Sequence, residues 1–180
     1  TGHGGTTDYV LDDLPVSESV QLEAPATHTA AGTEYAFVEW TLGGVSQGAD
    51  VRAITFPADA DITAVAHYEP SRHLLEVRSE PLTGVSVTGT HPGTTVYDVM
   101  ADHEAAVGLS VPLDIVIGDF YYDFQHWERD GVEGPFAETF LVFNMGTPSE
   151  CVAVYELKHH SGDYWPESGE PGPENQNWDF

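Results

Sequence analysis

The chain repeats itself at a fixed offset of 87 residues, and the two copies align without a gap. Of the 50 positions from 20 to 69, 13 carry the same residue 87 positions later. The residues that recur are mostly aromatic, apolar or glycine: Val20, Leu22, Pro25, Tyr35, Phe37, Trp40, Gly44, Val45, Phe56, Val65, Ala66, Tyr68 and Glu69. Because such residues specify a core or a turn, the pattern predicts two copies of one folding unit.

The two copies differ in what precedes the shared part. Residues 1–7 parallel 88–95 with one gap, but the second copy also has residues 73–87 in front of that point. We therefore predict a first repeat at 1–71 that lacks its opening strands and a complete second repeat at 72–157. Residues 158–180 match neither copy and are rich in proline, glycine and acidic residues, which is typical of a linker or tail.

Short apolar runs separated by glycine, proline and aspartate predict a chain built of β-strands. The expected strands of the second copy are 74–79, 85–89, 95–100, 106–111, 120–127, 138–143 and 151–157. Those of the first copy are 7–12, 19–24, 34–40, 51–56 and 63–69. The spacing favours an all-β fold of two tandem Ig-like β-sandwich repeats plus an irregular tail, with β-grasp-like repeats as the alternative.

Two tryptophans occupy the same place in the two copies and interrupt the strand alternation. Tyr35 and Phe37 share one face of a strand by period two and are expected to be core, as are their counterparts Tyr122 and Phe124. Strict alternation would point Trp40 outward, and likewise Trp127. We predict β-bulges at 38–39 and 125–126 that turn both indoles inward, followed by glycine-containing hairpin turns at 42–44 and 129–131. The open alternative is a pair of exposed binding aromatics.

The charge of the chain is strongly unbalanced. Thirty acidic residues face five basic ones, for a formal net charge of −25, which argues against nucleic acid and anionic membranes as partners. An acidic surface poor in lysine is typical of proteins from salty environments. No stretch is apolar enough for a membrane span, and no charged segment followed by an apolar one begins the chain, so we expect a processed form or a segment of a longer protein.

Several stretches of the chain are similar to a known class of repeats. GVSVTGTHPGTT at 84–95, VQLEAPAT at 20–27, YAFVEWTLGGV at 35–45 and ADITAVAHYE at 60–69 resemble divergent internalin-type B-repeats and related Ig-like surface repeats of large secreted bacterial and archaeal proteins. The resemblance covers about residues 1–157. It implies an extracellular spacer, adhesion or accessory role in an array, and its pattern includes no catalytic residues.

Candidate chemistry is sparse. Cys151, the single cysteine, stands where the first copy has Ala64, so a buried and unreactive thiol is expected. The pairs Asp59/Asp61 and Asp119/Asp123, and His159-His160 with Asp163, offer oxygen or imidazole ligands without a recognised metal motif. We predict no catalytic, cofactor or metal site, and Ca²⁺ is the one cofactor left open. A glycan-binding site would use Trp40, Trp127, Tyr121, Trp165 and Trp178.

These observations lead to one expectation about function and one alternative. We expect a non-catalytic structural or interaction module of an extracellular or cell-surface array or filament. It would assemble with neighbouring copies of itself, or with an upstream segment that completes the first repeat, through strand edges and the tail. Trp165, Trp178 and Phe180 would anchor the tail contact. The alternative is a carbohydrate-binding accessory module of a larger secreted enzyme.

Overall fold

The computed structural model of the chain describes residues 10–160, and every regular element in that range is a β-strand. The prediction of an all-β, sandwich-like fold is confirmed. The strands are β1 (Ser19–Glu23), β2 (Thr27–Ala30), β3 (Thr33–Leu42), β4 (Val45–Ala49), β5 (Ala53–Pro57), β6 (Ala64–Glu80), β7 (Ser86–Gly89), β8 (Gly93–Thr94), β9 (Tyr97–Asp102), β10 (Ala106–Ser110), β11 (Asp114–Ile117), β12 (Phe120–Arg129), β13 (Val132–Glu133), β14 (Phe140–Asn144) and β15 (Ser149–His160).

The chain divides into two compact units that interleave along the sequence. Unit 1 runs to Glu76 and adds Asp98–Val107 and Phe143–Ser149. Unit 2 contains Val77–Tyr97, Gly108–Val142 and the chain from Glu150 onward. The division by repeat, at 1–71, 72–157 and 158–180, stays a prediction.

Unit 1 is built around β3. This strand pairs antiparallel with β2 and β6 and carries β4 at its end, while β1 pairs antiparallel with β5. The core of this unit contains Phe37, Trp40, Ile54 and Ala24. Leu22, Phe56 and Tyr68 pack against it and remain partly exposed.

Unit 2 has the same local arrangement around β12. This strand pairs antiparallel with β11 and β15 and carries β13 at its end. A second sheet has the order β14-β10-β7-β8, and its residues 86–89, 93–94, 108–110 and 140–142 belong to unit 2. The buried side chains of unit 2 include Phe124, Trp127, Leu109 and Val87.

The strand boundaries of the two copies repeat at the offset seen in the sequence. Adding 87 to the bounds of β1, β2, β3 and β5 gives the bounds of β10, β11, β12 and β14, and β4 and β13 begin at equivalent residues. Similar local sequences therefore adopt the same strands in both places.

The bulges predicted beside the two tryptophans are confirmed. The pairing of β3 with β6 shifts register between Phe37 and Glu39, and that of β12 with β15 shifts between Phe124 and His126. One extra residue reverses the alternation beyond it, so that Trp40 points inward together with Phe37. The four aromatic side chains beside the two bulges, Phe37, Trp40, Phe124 and Trp127, are buried.

The hairpin turns after these strands are also as predicted. Leu42 pairs with Val45, and Arg129 pairs with Val132, so each loop has two residues. Both loop residues have positive φ, 57° and 80° at Gly43 and Gly44. Two successive positive φ values define the turn that matches the twist of a β-hairpin.

Some of the predicted elements are wrong. The strands expected at 63–69 and 74–79 form the single strand β6. Pro70 lies within β6, whose pairing with β3 continues after a register shift next to this proline. Residues 10–12 of the strand expected at 7–12 are not in a strand, and 7–9 lie outside the described residues. Tyr35 and Tyr122 are half-buried rather than core, since a register shift adjoins each of them.

Candidate functional site

The two tryptophans considered for glycan binding belong to the core. The indole N–H of Trp40 donates to the carbonyl oxygen of Arg52 at 2.9 Å, and that of Trp127 donates to the carbonyl oxygen of Thr139 at 3.1 Å. A buried indole with its single donor satisfied offers no face to a sugar. Tyr121 is half-buried. Trp165, Trp178 and Phe180 lie outside the described residues.

The lone thiol is buried, as the sequence predicted. Cys151 lies on β15 with no exposed surface. Burial, reinforced by the nearby Asp130 and Glu150 carboxylates, raises the pKa of this thiol to about 12. Since the thiolate is the reactive species, the side chain is unreactive at neutral pH.

The acidic pairs singled out in the sequence do not gather into a metal site. Asp59 accepts a hydrogen bond from the hydroxyl of Ser17 at 2.8 Å, and Asp123 lies 4.0 Å from the ammonium of Lys158. Across residues 10–160, no three His, Cys, Asp or Glu side chains come together in a way that could hold a metal ion. The side chains of His159 and His160, and residue Asp163, are outside the described part of the chain.

A chain of polar side chains in unit 1 was not predicted from the sequence. Thr33 Oγ1 lies 2.9 Å from His73 Nδ1, and His73 Nε2 lies 2.8 Å from His103 Nδ1. His103 Nε2 in turn lies 3.8 Å from the exposed carboxylate of Glu104. His73 is only 3% exposed. Two causes lower the pKa of its imidazole, the larger being burial and the smaller the neighbouring His103. The arrangement holds a neutral imidazole that links three segments far apart in the sequence.

A groove on unit 2, which we call the edge groove, lies beside β12 and β14. The loop 134–139 joins β13 to β14 and is held against β12 by two hydrogen bonds, from Gly134 N to the Trp127 carbonyl at 2.7 Å and from Ala137 N to the Gln125 carbonyl at 2.6 Å. The groove is open to solvent, has a volume of about 380 Å³ and is lined by Trp127, Gly134, Pro135, Glu138, Phe140, Leu141 and Val142. A second depression of about 180 Å³ lies around Phe136 on the same loop.

Apolar side chains stand exposed beside the edge groove. Phe136 is 69% exposed, Phe140 56% and Val142 58%. The equivalent residues of the first copy are Ala49, Ala53 and Thr55, respectively. Since β4 and β5 form with these small residues, the fold does not require large apolar side chains here. Exposed apolar surface that the fold does not need is typical of an interaction site.

The chain was also compared with known proteins. No protein-family model, curated protein or solved structure matches it.

Proposed function

We propose that this chain is a structural or interaction module of a secreted surface array or filament, and that it assembles through strand-edge and tail contacts. One observation carries the proposal, namely that the contacts of one small β-unit recur 87 residues later. The Trp40–Arg52 hydrogen bond has its counterpart in Trp127–Thr139. A polypeptide that contains the same folding unit twice in succession is typical of arrays of spacer units.

A second hydrogen bond supports the same view. The hydroxyl of Tyr68 donates to the carbonyl oxygen of Pro25 at 2.9 Å, and the hydroxyl of Tyr155 donates to that of Pro112 at 2.8 Å. The rings of Phe37 and Tyr68 meet edge to face at 5.6 Å, as do those of Phe124 and Tyr155. The duplicated element is therefore a packed aromatic unit and not only a similar strand pattern.

The electrostatics and the resemblance to internalin-type B-repeats support a place outside the cell. A net charge of −25 keeps the chain soluble and disfavours binding to nucleic acid or to anionic lipid. Residues 10–160 contain no helix that could cross a membrane. The acidic surface is compatible with a salty medium, where charges separated by more than a few ångströms are screened.

Sedimentation velocity of the purified chain tests this proposal. We expect the weight-average sedimentation coefficient to rise with protein concentration, and a chain lacking 162–180 to show a weaker rise. A chain that stays monomeric at every concentration, in both about 0.1 and about 1 M salt, would count against assembly as its function.

A further inference from the structure

We propose that the outer edge of β14, with the edge groove beside it, is the surface through which two copies of this chain associate. The inference rests on the proposed function and names the strand and the partner. Phe140, Leu141 and Val142 would form the centre of the contact, and Phe136 would lie at its border.

The position of β14 makes such pairing possible. In the sheet β14-β10-β7-β8, β14 is the terminal strand of those that the structure describes. A terminal strand presents backbone N–H and C=O groups that another strand can pair with. Natural edge strands commonly carry proline or charged residues, which prevent pairing with a strand of another molecule. Residues 140–144 read FLVFN and contain neither, so this edge lacks the usual protection.

The first copy shows what the same strand looks like with protection. Its counterpart β5 reads AITFP, with small side chains at Ala53 and Thr55 and a proline at Pro57. In the second copy the same positions carry Phe140, Val142 and Asn144. The exchange of alanine for phenylalanine and of proline for asparagine creates both the apolar surface and the hydrogen-bonding capacity that edge pairing uses.

The lack of charge along β14 allows a second copy to be the partner. Any two copies of a chain with a net charge of −25 repel each other, so they can meet closely only where carboxylates are few. Residues 139–149 contain no charged side chain, and Glu138 is the one carboxylate among the residues that line the edge groove. An antiparallel pair of identical strands is also two-fold symmetric, so one patch serves both molecules without a second complementary surface. A basic partner would instead be expected to face acidic residues along the strand, and β14 has none.

The test compares the wild-type chain with a variant that restores the residues of the first copy. Phe136→Ala, Phe140→Ala and Val142→Thr together reproduce Ala49, Ala53 and Thr55, which are compatible with the same fold. We expect the wild-type chain to dimerise, more tightly at about 1 M than at about 0.1 M salt. Loss of the central apolar contacts should raise the dimer dissociation constant of the triple variant by at least about thirtyfold. Val45→Thr, which trims a 65% exposed valine on β4, is the matched control and should dimerise like the wild type.

Hydrogen exchange gives a second readout that does not depend on the triple variant. Because Thr139 and Met145 bond towards the inner side of the sheet, the backbone groups of Phe140 and Val142 face the outer edge. The amides of these two residues should exchange more slowly as the wild-type concentration rises, and Phe140→Glu should abolish this change at low salt. A wild-type chain that stays monomeric at both salt concentrations overturns this inference and the proposed assembly together. A wild-type dimer that the triple substitution leaves intact, or one protected only at another strand, overturns the β14 edge alone and leaves the module function standing.

Discussion

Trp127 donates its indole N–H to the carbonyl oxygen of Thr139 at 3.1 Å, a hydrogen bond that ties β12 to the residue just before β14. The same bond joins Trp40 to Arg52 at 2.9 Å. Both carbonyls accept a second, backbone donor, Val111 N for Thr139 and Ala24 N for Arg52. In each copy, one carbonyl therefore accepts hydrogen bonds from the indole and from a backbone N–H, which joins three segments of the chain.

Replacing either tryptophan should destabilise the chain by a similar amount. Trp127→Phe removes one hydrogen bond and some buried volume but leaves the Thr139 carbonyl with its backbone donor. We expect the free energy of unfolding to fall by about 1–2 kcal/mol, and Trp40→Phe to behave alike, as measured by urea denaturation. Val45→Thr, at an exposed site on β4, should stay within about 0.5 kcal/mol of the wild type. The interpretation fails if Trp127→Phe costs no more than this control.

Stability should decline in alkali because of Cys151. Its thiol pKa is raised from 9.0 to about 12, so above pH 9 the folded chain retains a proton that the unfolded chain has lost. The free energy of unfolding then falls as pH rises, by at most about 1.4 kcal/mol per pH unit for this group. The pKa of Tyr155 is also raised by burial, and its contribution begins at higher pH.

Cys151→Ala, which installs the residue found at Ala64 in the first copy, isolates the thiol contribution. We expect urea denaturation at pH 7 to show a loss of about 1 kcal/mol or less, and the decline between pH 9 and 10 to be shallower than in the wild type. An unchanged slope would show that the thiol is not the group responsible.

His73 should make the chain sensitive to mild acid. Its pKa is lowered by burial and by His103, so the imidazole is held neutral in the folded state. The stability that neutral His73 contributes is fully present above pH 6.5, the pKa of histidine in the unfolded chain. It is lost as the pH falls towards the lower pKa that His73 has in the folded chain. His73→Gln keeps a group that can hydrogen-bond to Thr33 but removes the titration.

Unfolding experiments between pH 7 and about 5 avoid most carboxylate titration. We expect the free energy of unfolding of the wild type to decrease over this range and that of His73→Gln to decrease less. His28→Gln, at an exposed histidine, is the control and should follow the wild type. If the free energy of unfolding falls in parallel for all three proteins, His73 is not the group that makes the chain sensitive to acid.

Monovalent salt should stabilise the folded chain. The Debye length falls from about 10 Å at 0.1 M to about 3 Å at 1 M, which screens repulsion within a chain of net charge −25. We expect the melting temperature to rise over this range, equally in NaCl and KCl, because screening does not depend on the cation. A flat or falling melting temperature would exclude repulsion as a major contribution, and a rise with only one salt would indicate specific ion binding instead.

The sequence alone determined the strand type and the internal duplication. Phe37, Trp40 and Tyr68 recur at one offset, and this recurrence does not depend on where each strand begins or ends. The bulge beside Trp40 could also be predicted, because an aromatic residue directly before a turn and off the apolar face needs an extra residue to reach the core. Local pattern was sufficient where one face is apolar and the other is not.

Which surface is exposed and which distant polar groups meet could not be predicted without the tertiary structure. In 140–143 all four residues are apolar, so period-two alternation cannot tell that Phe140 and Val142 face outward while Leu141 is half-buried. Thr33, His73 and His103 are 30 or more residues apart, and nothing in the local sequence of each indicates the others. Both features depend on how strands pack over long sequence separations, which local periodicity does not encode.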